Sequence, residues 1–181
     1  MTPTLRAGLI GLGRMGSHHA RVLATLPGID FVAAVDAREQ ARRTVPGLDV
    51  LSTVTELLDR GIDLCVVATP TVTHEEIAIQ LAEAGVATLI EKPLAQDAKA
   101  AQNIVEAFER TGVLGCVGHI ERFNPALQEL RRRLALDEIG PVYQVVTRRQ
   151  GPFPARIVDA GVVLDLATHD IDLTAWVTGS S

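Results

Sequence analysis

Short apolar runs alternate with longer mixed segments along the first 118 residues of the chain. Runs such as CVVA at 65–68 and ATLI at 87–90 are apolar throughout, which is typical of parallel strands buried on both faces. The runs predict strands at Leu5–Ile10, Phe31–Asp36, Asp49–Leu51, Asp63–Ala68, Ala87–Ile90 and Val113–Val117. The segments between them predict helices at Met15–Leu26, Glu39–Thr44, Val54–Arg60, His74–Ala84 and Ala98–Thr111. This alternation predicts an α/β fold with a doubly wound parallel sheet.

The ends of the predicted helices carry their own signals. Thr53, Thr73 and Asp97 stand where N-caps are expected, and Gly61, Gly85 and Gly112 stand where helices should stop.

The pattern changes after Gly118, where the regular alternation ends. The rest of the chain predicts an Arg-rich helix at Arg122–Leu136, an alternating strand at Val142–Arg148 and a final helix at Gly161–Val177. We therefore predict a complete Rossmann domain at 1–118 and an incomplete α+β domain at 119–181, which serves substrate binding or oligomerisation. Because a single strand does not form a stable layer alone, we expect self-association of the second region, as in a homo-oligomer, strand exchange between chains, or local disorder beyond about Pro141.

Three glycines follow the first predicted strand in the pattern G-x-G-x-x-G. Gly11 permits a tight turn, Gly13 lets the backbone approach a pyrophosphate, and Gly16 lets helix and strand pack closely. The next helix begins inside this motif, so its first N–H groups and its positive dipole end are available to phosphates. The strand–turn–helix context predicts a dinucleotide site, with Arg14 and Met15 of the first helical turn beside the cofactor.

The second predicted strand ends in an acidic residue, Asp36, twenty positions after Gly16. A carboxylate at this place accepts hydrogen bonds from ribose hydroxyls and repels a 2′-phosphate, so we predict NAD as the cofactor. Arg38 lies two residues later and could accommodate that phosphate, which leaves NADP as the alternative.

Composition and charge narrow the class of protein. The chain has 181 residues, is 47% apolar and 22% charged, and carries a net charge of −5, which indicates a globular protein without a nucleic-acid or membrane partner. No signal peptide is apparent, and no apolar run approaches the ~18 residues of a membrane span. Cys65 and Cys116 both lie in apolar runs, where buried reduced thiols are expected, as in a cytoplasmic protein. No metal site is predicted.

Three further polar clusters stand in or near predicted strand ends and helices. ATPTVTH at 68–74 and EKP at 91–93 each follow a strand, and ligands bind at that edge of an α/β sheet. Asp165 and His169 are four residues apart on a predicted helix, where a carboxylate raises the basicity of an imidazole. Taken singly, each cluster has an ordinary structural explanation: a loop, a surface lysine and a helix-surface ion pair.

Together these segments resemble the Gfo/Idh/MocA family, the group of glucose–fructose oxidoreductase and inositol dehydrogenase. The resemblance covers nearly the whole chain through GLGRMG, AVDA, ATPTVTH, EKPLA, VGHIERFNPA and AGVVLDLATHDID. It implies NAD(P)-dependent oxidation of a sugar or cyclitol hydroxyl. It makes Lys92 the catalytic lysine that stabilises the alkoxide, His169 the group that takes the hydroxyl proton, and Asp165 the residue that orients the imidazole. It places Thr69, Pro70, His74, Glu91 and Lys92 beside the cofactor, and it suggests a cis Lys92–Pro93 bond.

The segments HIERFNPA and RRQGPFPARI are most similar to family members that oxidise the 3-hydroxyl of UDP-N-acetylhexosamines. This resemblance implies substrate contacts by His119, Arg122, Asn124, Arg148 and Arg149. Arg148 and Arg149 could meet a diphosphate, which forked guanidinium groups suit, or could equally be the solvated end of a strand.

Relatives in the family run considerably beyond 181 residues, so we expect this chain to be a truncated product, a fragment or half of an unusual assembly. Two functions follow from the sequence: a nicotinamide-dependent oxidoreductase, favoured by Lys92, Asp165 and His169, and a non-catalytic NAD-binding regulatory or redox-sensing module, favoured by the missing strands.

Overall fold

The computed structural model describes residues 3–38, 47–148, 150 and 167–179. The chain divides into two compact units, Met1–Gly118 and His119–Ser181. The predicted helix at Glu39–Thr44 and the first part of the one predicted at Gly161–Val177 lie outside the described residues.

The first unit is built on a six-stranded sheet with the order β3-β2-β1-β4-β5-β6, in which every neighbouring pair is parallel. Its strands are β1 (Leu5–Ile10), β2 (Ile29–Val35), β3 (Val50–Leu51), β4 (Leu64–Val67), β5 (Ala87–Ile90) and β6 (Gly115–Val117). The order runs outward in both directions from the neighbouring strands β1 and β4, so the side on which successive strands are added changes after β3. The predicted doubly wound parallel sheet is confirmed.

Four α-helices are described in this unit: α1 (Arg14–Leu23), α2 (Val54–Leu58), α3 (His74–Glu83) and α4 (Ala98–Thr111). Thr53 and Glu56 form a reciprocal capping box at α2, and Asp97 caps α4 by accepting from the amide of Ala100 at 2.8 Å. Gly112 ends α4 in the left-handed conformation, with φ 68°. Thr73 precedes α3 but makes no capping bond, because it ends a 3₁₀ turn (Thr71–Thr73) and has helical rather than extended backbone angles.

Side chains of successive strand residues enter two different apolar clusters, one on each face of the sheet. Ile10 and Val67 belong to the cluster that contains the buried residues of α3 and α4, whereas Leu9 and Val66 belong to the cluster that contains those of α1. Burial on both faces explains why the strands are apolar throughout rather than alternating.

The two cysteines differ in exposure. Cys65 is fully buried on β4, as predicted, whereas the prediction that Cys116 is buried is wrong. Cys116 lies on β6, a three-residue strand at the edge of the sheet, and its side chain is exposed. An apolar run alone does not distinguish an edge strand from a central one.

The second unit contains a 3₁₀ turn (Ile120–Phe123) and the helices α5 (Pro125–Ala135) and α6 (Thr168–Thr178). The helix predicted from Arg122 begins later, because Asn124 caps it and Pro125 occupies its first turn. The strand predicted at Val142–Arg148 is not formed: no partner strand lies beside it among the described residues, so its backbone groups have no ladder to join.

In the described part of the chain, no helix is both long enough and apolar enough to cross a membrane.

Candidate functional site

The aligned carboxyl ends of the strands place the polar clusters of the first unit at one edge of the sheet. Ile10 of β1 pairs with Val35 of β2 and with Val67 of β4, which in turn pairs with Ile90 of β5. The residues that follow these strand ends are Gly11, Asp36, Ala68 and Glu91. The glycine loop, the acidic residue, the ATPTVTH loop and the EKP loop therefore start from a common edge, where open α/β sheets bind ligands.

The glycine loop has three glycines with three different steric environments. Gly11 has φ +94°, and a Cβ there would lie 2.6 Å from the carbonyl oxygen of Ala68. A Cβ on Gly16 would lie 1.8 Å from the carbonyl oxygen of Gly11, so α1 can approach the loop only without a side chain. A Cβ on Gly13 would meet nothing within 4 Å. The space above Gly13 is therefore open, as a pyrophosphate would require.

The amino end of α1 begins at Gly13, beside this open space. No side chain caps the helix at Gly13, and its first turn contains no acidic residue. Arg14 and Met15, predicted beside the cofactor, are both exposed in that first turn. The first amides of a helix have no intrahelical acceptor, so this end can bind an anion.

Asp36 is 8% exposed and carries four hydrogen bonds. It accepts from the amide of Leu12 at 2.8 Å, from the amide of Arg38 at 2.9 Å, and from Nε and Nη2 of Arg38 at 3.0 and 2.9 Å. The guanidinium of Arg38 is the largest cause that lowers the pKa of Asp36 to about 2. The carboxylate therefore stays ionised at neutral pH, and it holds the glycine loop against the end of β2.

The ATPTVTH loop is fixed by a histidine that the family resemblance places beside the cofactor. His74 is 1% exposed, and its Nε2 lies 3.0 Å from the carbonyl oxygen of Thr69. Its Nδ1 lies 3.1 Å from the carbonyl oxygen of Pro93 and 3.2 Å from that of Leu94. The ring thus connects the loop after β4 to the loop after β5, and both of its nitrogens lie within hydrogen-bonding distance of backbone carbonyl oxygens. Thr69 is partly buried and Pro70 exposed on the same loop.

The EKP loop contains a buried carboxylate next to a lysine. Glu91 is 6% exposed, and its Oε1 lies 2.7 Å from Nε2 of His19 on α1. Its Oε2 accepts from the amide of Lys92 at 3.2 Å. Lys92 is partly buried, and the Lys92–Pro93 bond is cis, as the resemblance suggested. Sequence reasoning missed His19, although a histidine beside the buried stripe of Gly16, Ala20 and Leu23 was a signal for an inward polar contact.

The second unit contains other predicted site residues in a separate cluster. Arg122 donates two hydrogen bonds to the carboxylate of Asp172 on α6, from Nε at 2.9 Å and from Nη2. Nδ1 of His119 lies 3.5 Å from the same carboxylate, and the pKa of Arg122 is raised by its bond to Asp172. Asn124 caps α5 by accepting from the amide of Ala126 at 3.1 Å. These three residues therefore have structural partners within their own unit.

The remaining predicted residues are placed only in part. His169 lies on α6, partly buried, and Arg148 is exposed. Asp165 and Arg149 lie outside the described residues. No group of three or more metal-ligating side chains occurs in the ranges that the structure describes.

Comparison with known proteins agrees with this arrangement. Residues 5–119 match the family model described as an oxidoreductase family with an NAD-binding Rossmann fold. The chain is 35% identical over 191 residues to a scyllo-inositol 2-dehydrogenase (NAD(+)) of Bacillus subtilis, with 99% of this chain and 56% of the relative covered. It is 33% identical over 183 residues to a UDP-N-acetylglucosamine 3-dehydrogenase of Acidithiobacillus ferrooxidans, with 97% and 55% covered.

A solved structure shows the same similarity. The WlbA dehydrogenase from Bordetella pertussis, crystallised with NADH and UDP-GlcNAcA, superposes with a TM-score of 0.85 at 28% identity, with 98% of this chain and 56% of the other covered. The chain thus spans about half the length of the relatives it matches.

Proposed function

The chain belongs to the Gfo/Idh/MocA family of oxidoreductases, which has an NAD-binding Rossmann fold, and from this premise we propose that it serves NAD-dependent oxidation of a secondary ring hydroxyl to a ketone. The observation that carries the proposal is the shared edge of the sheet in the first unit. There, the glycine loop, Asp36 and Lys92 follow strands whose ends are in register. A dinucleotide loop next to a strand-end lysine is the arrangement that a hydride-transfer enzyme needs.

The residues of the first unit fit NAD. The open space at Gly13 and the uncapped end of α1 suit the pyrophosphate, and the ionised Asp36 lies at the strand end where this fold places a ribose diol. When bound, NAD would supply the acceptor for the hydride of the substrate carbon.

Three side chains carry the proposed chemistry, with roles implied by the family. Lys92 stabilises the developing negative charge on the substrate oxygen through its ammonium group. In these roles, His169 takes the proton of the hydroxyl and Asp165 orients the imidazole. We expect Lys92→Ala and His169→Ala to lower turnover by about 10²- to 10⁴-fold while NAD affinity stays close to wild type.

We propose UDP-N-acetylhexosamine, oxidised at the 3-hydroxyl, as the substrate. The similarity of HIERFNPA and RRQGPFPARI and the relative that acts as a UDP-N-acetylglucosamine 3-dehydrogenase support this choice. A free cyclitol is the second candidate, because the scyllo-inositol 2-dehydrogenase relative is equally similar in sequence.

The test is NAD reduction at 340 nm over a panel of UDP-N-acetylhexosamines, free hexosamines and inositols, beside calorimetric titration with NAD. Reduction with UDP-sugars and none with inositols supports the finer proposal, and the reverse result transfers the proposal to cyclitols. Tight NAD binding without turnover on any panel member, in this chain and in a form extended to the length of its relatives, would instead identify a non-catalytic NAD-binding module. Lys92→Ala is the matched negative control for turnover.

A further inference from the structure

A polar contact between α1 and the EKP loop is made by His19, a residue that no site prediction includes. Nε2 of His19 lies 2.7 Å from Oε1 of Glu91, 72 residues later in the chain. The two side chains are 17% and 8% exposed, respectively, so water competes little for the bond. A carboxylate only accepts hydrogen bonds, so Nε2 of His19 carries the proton.

The carboxylate of Glu91 also lies close to two backbone segments. Its second oxygen accepts from the amide of Lys92 at 3.2 Å. On the β6 side, a Cβ built at Gly118 would lie 3.3 Å from the carboxylate, so the absence of a side chain there leaves the space that Glu91 fills. The carboxylate is therefore confined between α1, the end of β6 and the backbone of the lysine that follows it.

We propose that His19 is a positioning residue, which fixes the backbone at Lys92 through the carboxylate of Glu91. The chain of contacts is short: imidazole to carboxylate to the Lys92 amide. It joins the helix that begins at the dinucleotide loop to the residue that carries the ammonium group. This role rests on the proposed function only in that Lys92 acts on the substrate; the placement of Lys92 by His19 is testable without turnover.

The neighbouring residue provides a matched control. His18 is on the same helix and has the same side chain, but it is exposed. A general effect of removing an imidazole from α1 would appear at either position, whereas the proposed role belongs to His19 alone.

The composition of the chain makes the measurement simple, because Lys92 and Lys99 are its two lysines. Lys99 is exposed on α4 and serves as an internal reference. The experiment is limited acetylation of the full chain without cofactor, with the Lys92:Lys99 labelling ratio read by mass spectrometry. It compares wild type, His19→Met, His19→Gln and His18→Met. Met fills the space without a donor, and Gln retains an N–H close to the place of Nε2.

We expect the labelling ratio to change severalfold in His19→Met and to stay near wild type in His19→Gln and His18→Met. Where turnover is measurable, His19→Met should lower kcat on the order of 10²-fold, the effect of misplacing a catalytic group by about 1 Å, with little change in the KM for NAD.

An unchanged ratio in folded His19→Met, or an equal change in His18→Met, would overturn the proposal. If His19→Met does not fold, the same comparison is made with His19→Gln and His19→Asn: a wild-type ratio in both refutes the role, because Asn places its N–H short of Glu91. If neither this chain nor the form extended to the length of its relatives reduces NAD on any substrate, the proposed function is refuted, whereas the role of His19 is still decided by the labelling ratio.

Discussion

Alanine at Gly13 and at Gly16 should have opposite consequences, although both residues belong to one motif. At Gly16, the new Cβ would lie 1.8 Å from the carbonyl oxygen of Gly11, more than about 1 Å inside the closest approach that a Cβ tolerates. The oxygen belongs to backbone that is itself held at φ +94° against Ala68, so it has little room to yield. We expect Gly16→Ala to lower the free energy of unfolding by at least about 3 kcal/mol.

At Gly13, the same methyl group costs the fold little. The residue has φ −69° and ψ −165°, which is extended backbone open to any side chain, and a Cβ would meet nothing within 4 Å. Stability should stay within about 1 kcal/mol of wild type. The methyl group would instead occupy the space that a pyrophosphate must enter, so one charge-assisted hydrogen bond should be lost. That loss is about 1.5–3 kcal/mol, or roughly 10- to 150-fold in the Kd for NAD.

The assay pairs urea unfolding with calorimetric titration of NAD on wild type, Gly13→Ala, Gly16→Ala and a control, Gly28→Ala. Gly28 also has open space for a Cβ but a φ of +81°, so alanine there should cost about 1–2 kcal/mol of backbone strain without affecting NAD affinity. If Gly13→Ala binds NAD as tightly as wild type, the backbone at Gly13 does not meet the cofactor and the assignment of the loop is refuted. A Gly16→Ala chain of wild-type stability would refute the steric argument.

Three further predictions concern charge and exposed apolar surface. Wild type should bind NAD more tightly than NADP. Arg38→Ala should increase the ratio of the two affinities roughly tenfold, because the substitution leaves the Asp36 carboxylate without its counter-charge. A smaller ratio in the variant, measured by titration with both cofactors, would contradict the prediction. Because the pKa of Asp36 is lowered from 3.8 to about 2, its ion pair stabilises the fold above about pH 4, and that contribution is lost as the pH falls toward 2. The contribution should be about 1–2 kcal/mol, since Arg38 is 63% exposed. Urea unfolding should show a smaller difference in the free energy of unfolding between wild type and Asp36→Asn at pH 3 than at pH 7. Equal differences at the two pH values would show that the ion pair does not stabilise the fold. Tyr143 and Val146 are 94% and 77% exposed in an apolar stretch. Light scattering should therefore show self-association, and Val146→Lys should reduce it. A wild-type chain that stays monomeric at all concentrations would contradict the prediction.

The fold of the first unit could be predicted because each of its signals is local. A strand buried on both faces is apolar throughout. A helix end is marked by a capping residue within a few positions, and Thr53, Asp97 and Gly112 therefore predict where their helices begin or end. The glycine motif is largely local as well, since the positive φ of Gly11 and the close approach of Gly16 to Gly11 both arise within a turn of six residues. Once the strands are parallel and in register, the position of the site at their carboxyl edge follows from topology.

The contacts that join distant segments could not be predicted from these local signals. His19 meets Glu91 across 72 residues, and Arg122 meets Asp172 across 50. Neither His19 on its helix nor Arg122 in its turn carries a local sequence signal that identifies its distant partner. Which acid each one faces depends on how helices lie over the sheet, and no periodicity encodes that arrangement. Even within one loop, the sequence predicts Arg38 only as a group that could accommodate a 2′-phosphate, and the bidentate bond of Arg38 to Asp36 is not predicted.

The segment at Val142–Arg148 shows why strand patterns and helix patterns do not predict equally well. A helix satisfies its backbone hydrogen bonds within itself, so α5 forms where Asn124 and Pro125 start it, one turn later than the apolar pattern alone suggested. A strand satisfies its bonds only through a neighbour, and alternation at Val142, Gln144 and Val146 says which face would be apolar without supplying that neighbour. The pattern therefore describes a strand that needs an additional partner. A second strand, from whatever source, should convert this segment into sheet, and the exposed Val146 side chain is where that pairing would bury apolar surface first.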